Sequence, residues 1–191
     1  NSVWVLNNLY ERTLAKGTES KFADNSGTML LPEAGNSYPD ILDETRVETD
    51  FFFSMQETSG ENKGMVHHKM HDFKWTALCV RPAEDPLERI VKPVTYAASL
   101  QAAAAWAQSA RLWEPYDAAY ATKCLDAAKL AYSAAKAKYE ANGSKYNSAD
   151  TYFAPIEDGK GGGAYGDNYV DDDFYWAACE LYITTGDKTY Y

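Results

Sequence analysis

The sequence predicts an all-α fold of about five helices joined by long loops. In most of the helical segments, apolar residues recur at intervals of three and four positions, and glycine or proline interrupts the chain between helices. No series of segments shows the strict alternation of apolar and polar residues that is typical of strands. With 191 residues, the chain is long enough for one domain with a sizeable core.

Two helices are predicted in the first third of the chain. The first covers residues 3–16 and ends before Gly17. Its apolar residues are Val5, Leu6, Leu9, Tyr10 and Leu14. After a polar loop, Pro39 fits the first position of a second helix, where Asp40 complements the helix dipole, and this helix runs to about Gln56.

Three further helices are predicted at residues 95–113, 116–141 and 171–185. The first of these is rich in alanine, which favours helix and allows close packing against neighbours. Residues 64–74 lack a helical period and are expected to run extended. A long loop rich in glycine and asparagine, residues 143–168, precedes the last helix, and a loop of this length is typical of a functional segment.

Composition excludes some classes of function. The net charge is −10, with 28 acidic against 18 basic residues, which argues against a nucleic-acid partner because phosphate binding needs clustered positive charge. No apolar run approaches the roughly 18–20 residues of a membrane span, so no membrane partner is expected. Cys79, Cys124 and Cys179 are isolated, and we expect three buried thiols rather than disulfides or a CxxC metal site.

All three histidines lie within five positions, at His67, His68 and His71, close to Trp75. Imidazoles bind zinc or copper, but the segment is not predicted to be helical, and no glutamate separates His67 from His71 as in HExxH. Two other interpretations stay open. One is a structural or surface role, and the other is a ligand-binding wall in which Trp75 stacks and His71 donates a hydrogen bond.

Two segments near the end of the chain also carry candidate site residues. Residues 161–166, GGGAYG, have the spacing of GxGxxG, but no predicted strand precedes them, so glycines beside Tyr165 are better explained by a loop close to a ligand. Asp171, Asp172 and Asp173 open the last helix. They either cap it and complement its dipole, or two of them help to bind a hard cation such as calcium.

Four segments, in order along the chain, together resemble the glycoside hydrolase family 9 cellulases. The segments are residues 3–12 (VWVLNNLYER), 32–44 (PEAGNSYPDILDE), 64–75 (GMVHHKMHDFKW) and 171–187 (DDDFYWAACELYITTGD). Each is similar to a motif of that family, and the four in register span nearly the whole sequence.

The resemblance implies a partial (α/α)6 toroid and hydrolysis of internal β-1,4-glucosidic bonds with inversion. In that reaction one carboxylate activates water and a carboxylic acid protonates the leaving oxygen. It also implies that residues 1–191 are a central or N-terminal part of the catalytic domain, truncated at both ends. The family's base lies in a D-A-G-D block upstream of Asn1 and its acid lies downstream of Tyr191. No catalytic residue is therefore assigned, and this stretch alone is expected to be inactive.

The resemblance also implies binding residues. Trp75 matches a tryptophan that stacks on a glucosyl ring, His71 matches a sugar-contacting histidine, and Tyr165 matches an active-site tyrosine in the glycine-rich loop. Asp172 and Asp173 match an acidic pair that helps to hold a structural calcium ion. No cofactor is expected for catalysis itself.

The expected partners are a β-1,4-glucan, as cellulose or cello-oligosaccharides, and the remainder of the same catalytic domain. The expected location is extracellular. One alternative is a non-catalytic glucan-binding or structural α/α protein, which keeps Trp75 and Tyr165 but does not hydrolyse its ligand. Another is a metal-dependent enzyme that uses the histidine cluster.

Overall fold

Five helices make up most of the part of the chain that the computed structural model describes, which is residues 1–143 and 169–191. They are α1 (Ser2–Lys16), α2 (Asp40–Ser54), α3 (Tyr96–Trp113), α4 (Ala118–Ala141) and α5 (Asp171–Thr185). The predicted all-α class and the five predicted helices are confirmed. A 3₁₀ turn, Lys188–Tyr190, follows α5.

The central helix is α3, which packs against each of the other four helices. It is buried along nearly its whole length, including the four alanines 102–105. Small side chains let neighbouring helices approach closely, and large rings from α2 and α3 fill the remaining space. The ring of Phe53, for example, stacks on Trp106 with 5.1 Å between centroids.

The buried face of α1 differs from the apolar face that its sequence presents. The buried residues are Val3, Asn7, Tyr10 and Thr13, whereas Val5, Leu9 and Leu14 are exposed. Asn7 is accommodated because its Nδ2 donates to Ser109 Oγ at 3.1 Å and its Oδ1 accepts from Thr45 Oγ1 at 3.1 Å. The apolar spacing therefore predicted the helix correctly, but a hydrogen-bonded polar residue lies on the buried side.

The starts of α2 and α4 lie one and two residues later than predicted. Pro39 has extended backbone angles and precedes the first residue of α2, Asp40, rather than forming the first helical position. In α4, the carboxylate of Asp117 accepts the backbone N–H of Tyr120 at 2.9 Å and caps the helix. This side-chain cap sets the start of α4 at Ala118.

Residues 66–72 and 89–95 form an antiparallel ribbon of four short strands. They are β1 (Val66–His67), β2 (Met70–Asp72), β3 (Arg89–Val91) and β4 (Val94–Thr95). Strand β1 pairs with β4, and β2 pairs with β3, with Asp72 opposite Arg89. The extended run predicted around the histidines is confirmed for these positions, and residues 73–88 form the loop at the tip of the ribbon.

The base of the ribbon is held against the ends of two helices. The N–H of Val66 donates to Ser99 Oγ at 2.9 Å, and the N–H of His67 donates to the carbonyl of Met55 at 2.9 Å. These bonds join the ribbon to α3 and to the residue that follows α2. The tip loop therefore extends from a fixed base.

Candidate functional site

The tip loop exposes large apolar side chains. Trp75 is 79% exposed, Leu78 is 95% exposed, and Phe73 is 41% exposed. A tryptophan that is open to this extent offers an aromatic face to a ligand without displacing other side chains. The residue predicted to stack on a sugar ring therefore lies in an accessible position.

Four polar side chains brace this loop on both sides of Trp75. Arg89 Nε lies 2.8 Å from Asp72 Oδ1, across the strand pair. Thr76 Oγ1 lies 2.9 Å from Asp72 Oδ2 and 2.8 Å from Asp85 Oδ2. The hydroxyl of the residue that directly follows Trp75 thus lies between two carboxylates, one before the tip loop and one near its end.

Asp85 also holds the far side of the loop. Its Oδ1 accepts the backbone N–H of Leu87 at 2.9 Å. This bond, followed by the hydrogen bond with Thr76, lowers the pKa of Asp85 below its ordinary value. Asp85 is therefore held as a carboxylate, and it accepts hydrogen bonds from the loop rather than donating them.

The histidines are divided among different environments. Both ring nitrogens of His67 face acceptors, since Nδ1 lies 2.8 Å from the carbonyl of Lys92 and Nε2 lies 3.0 Å from Glu57 Oε1. His67 therefore connects the turn after α2 to the second half of the ribbon. This is a structural role, which is one of the interpretations that the sequence left open.

His71 has one bonded and one enclosed nitrogen. Its Nδ1 lies 2.7 Å from the carbonyl of Asp72, so Nδ1 carries a proton, and in the neutral ring Nε2 is an acceptor. Nε2 is buried and has no hydrogen-bond partner in the described ranges. His71 Nε2 is therefore placed to accept a hydrogen bond, and His71 is less accessible than Trp75.

A groove of about 350 Å³ lies beside the ribbon base, between the start of α1, α2 and α3. Its polar lining includes Glu48, His67, His68 and Lys69, and its floor is apolar. His67 and His68 line this groove, whereas His71 and Trp75 do not.

No three His, Cys, Asp or Glu side chains converge on a common point within residues 1–143 and 169–191. The two residues matched to a calcium site lie in different environments. Asp172 is exposed, whereas Asp173 is buried and its Oδ1 accepts from Gln101 Nε2 at 3.3 Å. The buried Asp173 carboxylate has the oxygen chemistry of a calcium ligand, and the calcium site stays a prediction.

Several other sequence predictions can be compared with the structure. Tyr165 and the glycine-rich segment lie outside the described residues. Cys124 is buried as expected, but Cys79 is exposed and Cys179 is half-buried, so the expectation of three buried thiols was wrong for Cys79 and only partly met for Cys179. Cys79 is exposed because it lies in the tip loop. In the described ranges, no helix has both the length and the apolar character needed to cross a bilayer.

Comparison with known proteins identifies the family. All 191 residues match the sequence profile of glycosyl hydrolase family 9. The chain belongs to glycosyl hydrolase family 9. It is 49% identical over 194 residues to a cellulose 1,4-beta-cellobiosidase of Acetivibrio thermocellus, a match that covers 99% of this chain and 21% of that protein.

Other family 9 proteins agree with this assignment. The chain is 45% identical over 182 residues to endoglucanase C of Cellulomonas fimi, covering 95% of this chain and 15% of that protein. Its structure matches a metagenome-derived family 9 endoglucanase with a TM-score of 0.76 at 36% identity, covering 98% of this chain and 31% of that one. The helices therefore form part of an (α/α)6 barrel, as expected. The chain spans 21% and 15% of the length of these two curated relatives.

The braces around Trp75 were not predicted from the sequence of this family 9 chain. Asp85 in the tip loop and Arg89 at the start of β3 lie four positions apart in a segment without helical periodicity, so their spacing carried no signal of proximity to Asp72. The pairing of two strands of only three residues brings Arg89 opposite Asp72. The signal that the sequence did offer is a pair of opposite charges, Asp72 and Arg89, on either side of a loop with two prolines.

Proposed function

We propose that the protein containing this chain is a cellulase that hydrolyses internal β-1,4-glucosidic bonds of cellulose or a related β-glucan with inversion. The observation that carries the proposal is the match of all 191 residues to family 9, together with relatives named as a cellobiosidase and an endoglucanase. An acidic chain is compatible with this substrate, because a neutral polymer is not repelled by negative charge.

In this proposal the chain contributes part of the substrate-binding wall. The glucosyl rings of a β-1,4-glucan have apolar C–H faces and hydroxyl groups around their edges, so an exposed indole stacks on the face while polar groups bind the rim. Trp75 supplies the stacking surface and is 79% exposed. His71 and Tyr165 supply hydrogen bonds to the sugar hydroxyls.

The reaction itself is assigned to groups outside this chain. Inversion requires a base that activates water and an acid that protonates the leaving oxygen, with about 6.5–9.5 Å between the two carboxyl groups. We assign residues 1–191 to a central or N-terminal part of a larger catalytic domain, and we assign both carboxyl groups to the remainder. These residues alone are then inactive.

A structural calcium ion and an extracellular location complete the proposal. Asp173 supplies a buried carboxylate near the start of α5, and Asp172 supplies a second oxygen ligand from the exposed side. An extracellular location suits a polymeric substrate. For calcium, the test is the thermal midpoint with calcium chloride against a chelator, which should differ for the wild type and not for D173N.

The test of activity is hydrolysis of carboxymethyl-cellulose by the protein at its natural full length. We expect release of reducing sugar, and proton NMR of the first products from a cello-oligosaccharide should show the α-anomer, because inversion converts a β-linkage to an α-product. Residues 1–191 alone should release none. Binding of cellulose by the full-length protein without any release would favour a non-catalytic glucan-binding protein and would contradict the proposed activity.

A further inference from the structure

We propose that Thr76, bound between Asp72 and Asp85, is a positioning residue that fixes the Trp75 indole in place for glucan binding. This inference rests on the proposed role of Trp75 in glucan binding. Thr76 would affect the affinity for glucan through the loop backbone, without contacting the sugar.

The Thr76 hydroxyl lies between two carboxylates that come from different parts of the ribbon and its tip loop. The hydroxyl oxygen lies within 2.9 Å of carboxylate oxygens from Asp72 on one side of the loop and Asp85 on the other. A hydroxyl has one proton to donate and two lone pairs, so it donates to one carboxylate at a time. Whichever carboxylate accepts that proton, the backbone at Thr76 is attached to one side of the loop, and Arg89, which faces both carboxylates, connects that side to the other.

Charge explains why two carboxylates come together here. Their mutual repulsion is offset by Arg89, whose Nε lies 2.8 Å from Asp72 and whose Nη2 lies 3.9 Å from Asp85. The Asp85 side chain is only 4% exposed, so its hydrogen bonds are shielded from competing water. The brace therefore consists of one hydroxyl, two carboxylates and one guanidinium.

The backbone adds a further connection on the other side of Trp75. The N–H of Phe73 donates to the carbonyl of Glu88 at 2.8 Å. Trp75 thus lies between two fixed points, Phe73 and Thr76, while its own side chain extends into solvent. Ordering the loop before the ligand arrives reduces the conformational entropy that is lost on binding.

The experiment is a double-mutant cycle on the full-length protein. Affinity for a thio-linked cello-oligosaccharide, which resists hydrolysis, is measured by calorimetry for the wild type, T76V, T76S, W75A and the double variant W75A/T76V. We expect T76V to weaken binding roughly 3- to 10-fold, because the brace is lost, and T76S to stay near the wild type, because the hydroxyl remains.

If Thr76 acts through Trp75, the T76V change has no further effect once W75A is present. T122V is the matched control, since Thr122 is an exposed threonine on α4 whose hydroxyl binds the carbonyl of Ala118. It should leave affinity unchanged. If T76V does not fold, R89Q takes its place in the same cycle, and circular dichroism establishes folding for each variant.

Three results would overturn the inference. Unchanged affinity of T76V beside weakened affinity of W75A rejects the role of Thr76 and leaves the proposed function standing. Fully additive losses in the double variant show that Thr76 acts independently of Trp75. Unchanged affinity of W75A rejects the role of Trp75 itself, and the inference that depends on it fails as well.

Discussion

Arg111 Nη1 on α3 lies 2.7 Å from Glu180 Oε2 on α5. Its Nε lies 2.6 Å from Glu11 Oε1 on α1, so one guanidinium joins three helices. Burial alone lowers the pKa of Arg111, but the hydrogen bond with Glu11 and the charge of Glu180 outweigh burial and raise it. Trp4 adds a hydrogen bond from its indole N–H to the other oxygen of Glu180.

Replacing Arg111 with methionine should destabilise the fold. The change leaves two partly or fully buried carboxylates without their cation, and we expect a loss of about 2–4 kcal/mol in the free energy of unfolding. Denaturant unfolding measures it. R81M is the control, because Arg81 is 83% exposed and its contact with Glu84 is 3.9 Å, so its loss should stay within about 0.5 kcal/mol. Equal losses of unfolding free energy for R111M and R81M would contradict the importance of the ion pairs that Arg111 makes with α1 and α5.

His68 should make the protein less stable in acid. Burial lowers the pKa of His68, and the charges of Lys69, Lys92 and His71 lower it further. The unfolded chain therefore binds a proton more readily than the folded one, so stability is lost as pH falls through the ordinary histidine value of about 6.5.

The measurement is the free energy of unfolding from pH 7.5 to 5.5 for the wild type and H68Q. The wild type should show an additional positive slope with pH, at most about 1.4 kcal/mol per pH unit from one proton. H67Q is the comparison variant, since His67 lies in a different environment with Glu57 and the Lys92 carbonyl. Parallel curves for the wild type and H68Q would reject this role of His68.

The cysteines should differ in reactivity. Burial raises the pKa of the Cys124 thiol to about 12, whereas Cys79 is exposed in the tip loop. At pH 8, a chromogenic disulfide reagent should modify Cys79 in the native protein and Cys124 only after denaturation, because the thiolate is the reactive form. In the C79S variant the reaction of the exposed thiol should disappear, and any reaction that remains in the native protein should come from the half-buried Cys179. Fast modification of Cys124 in the native state would contradict its burial.

Helix positions were predictable from local signals, because spacing, caps and glycines act within a few residues. The predicted end of the first helix at Gly17 is confirmed, where the backbone adopts the left-handed conformation that suits glycine. The buried face of α1 was not predictable in the same way. Asn7 is buried because Ser109 and Thr45, far along the chain, satisfy its amide.

The same limit applies to the candidate site. Trp75 could be named from the sequence because its segment resembles a family motif. The brace at Thr76 depends on a strand pairing that brings Asp72 opposite Arg89, and the intervening residues 73–88 give no local pattern for it. Long-range hydrogen bonds therefore account for most of what the sequence did not reveal.

The most direct test of the central claim is the affinity of the full-length protein for a thio-linked cello-oligosaccharide in the wild type, W75F and W75A. An aromatic ring that stacks on a sugar should be worth about 2 kcal/mol, so W75A should bind roughly 30-fold more weakly. W75F keeps a ring and should lose much less. Equal affinities for all three proteins would contradict the account of Trp75 as the stacking residue of a glucan-binding wall.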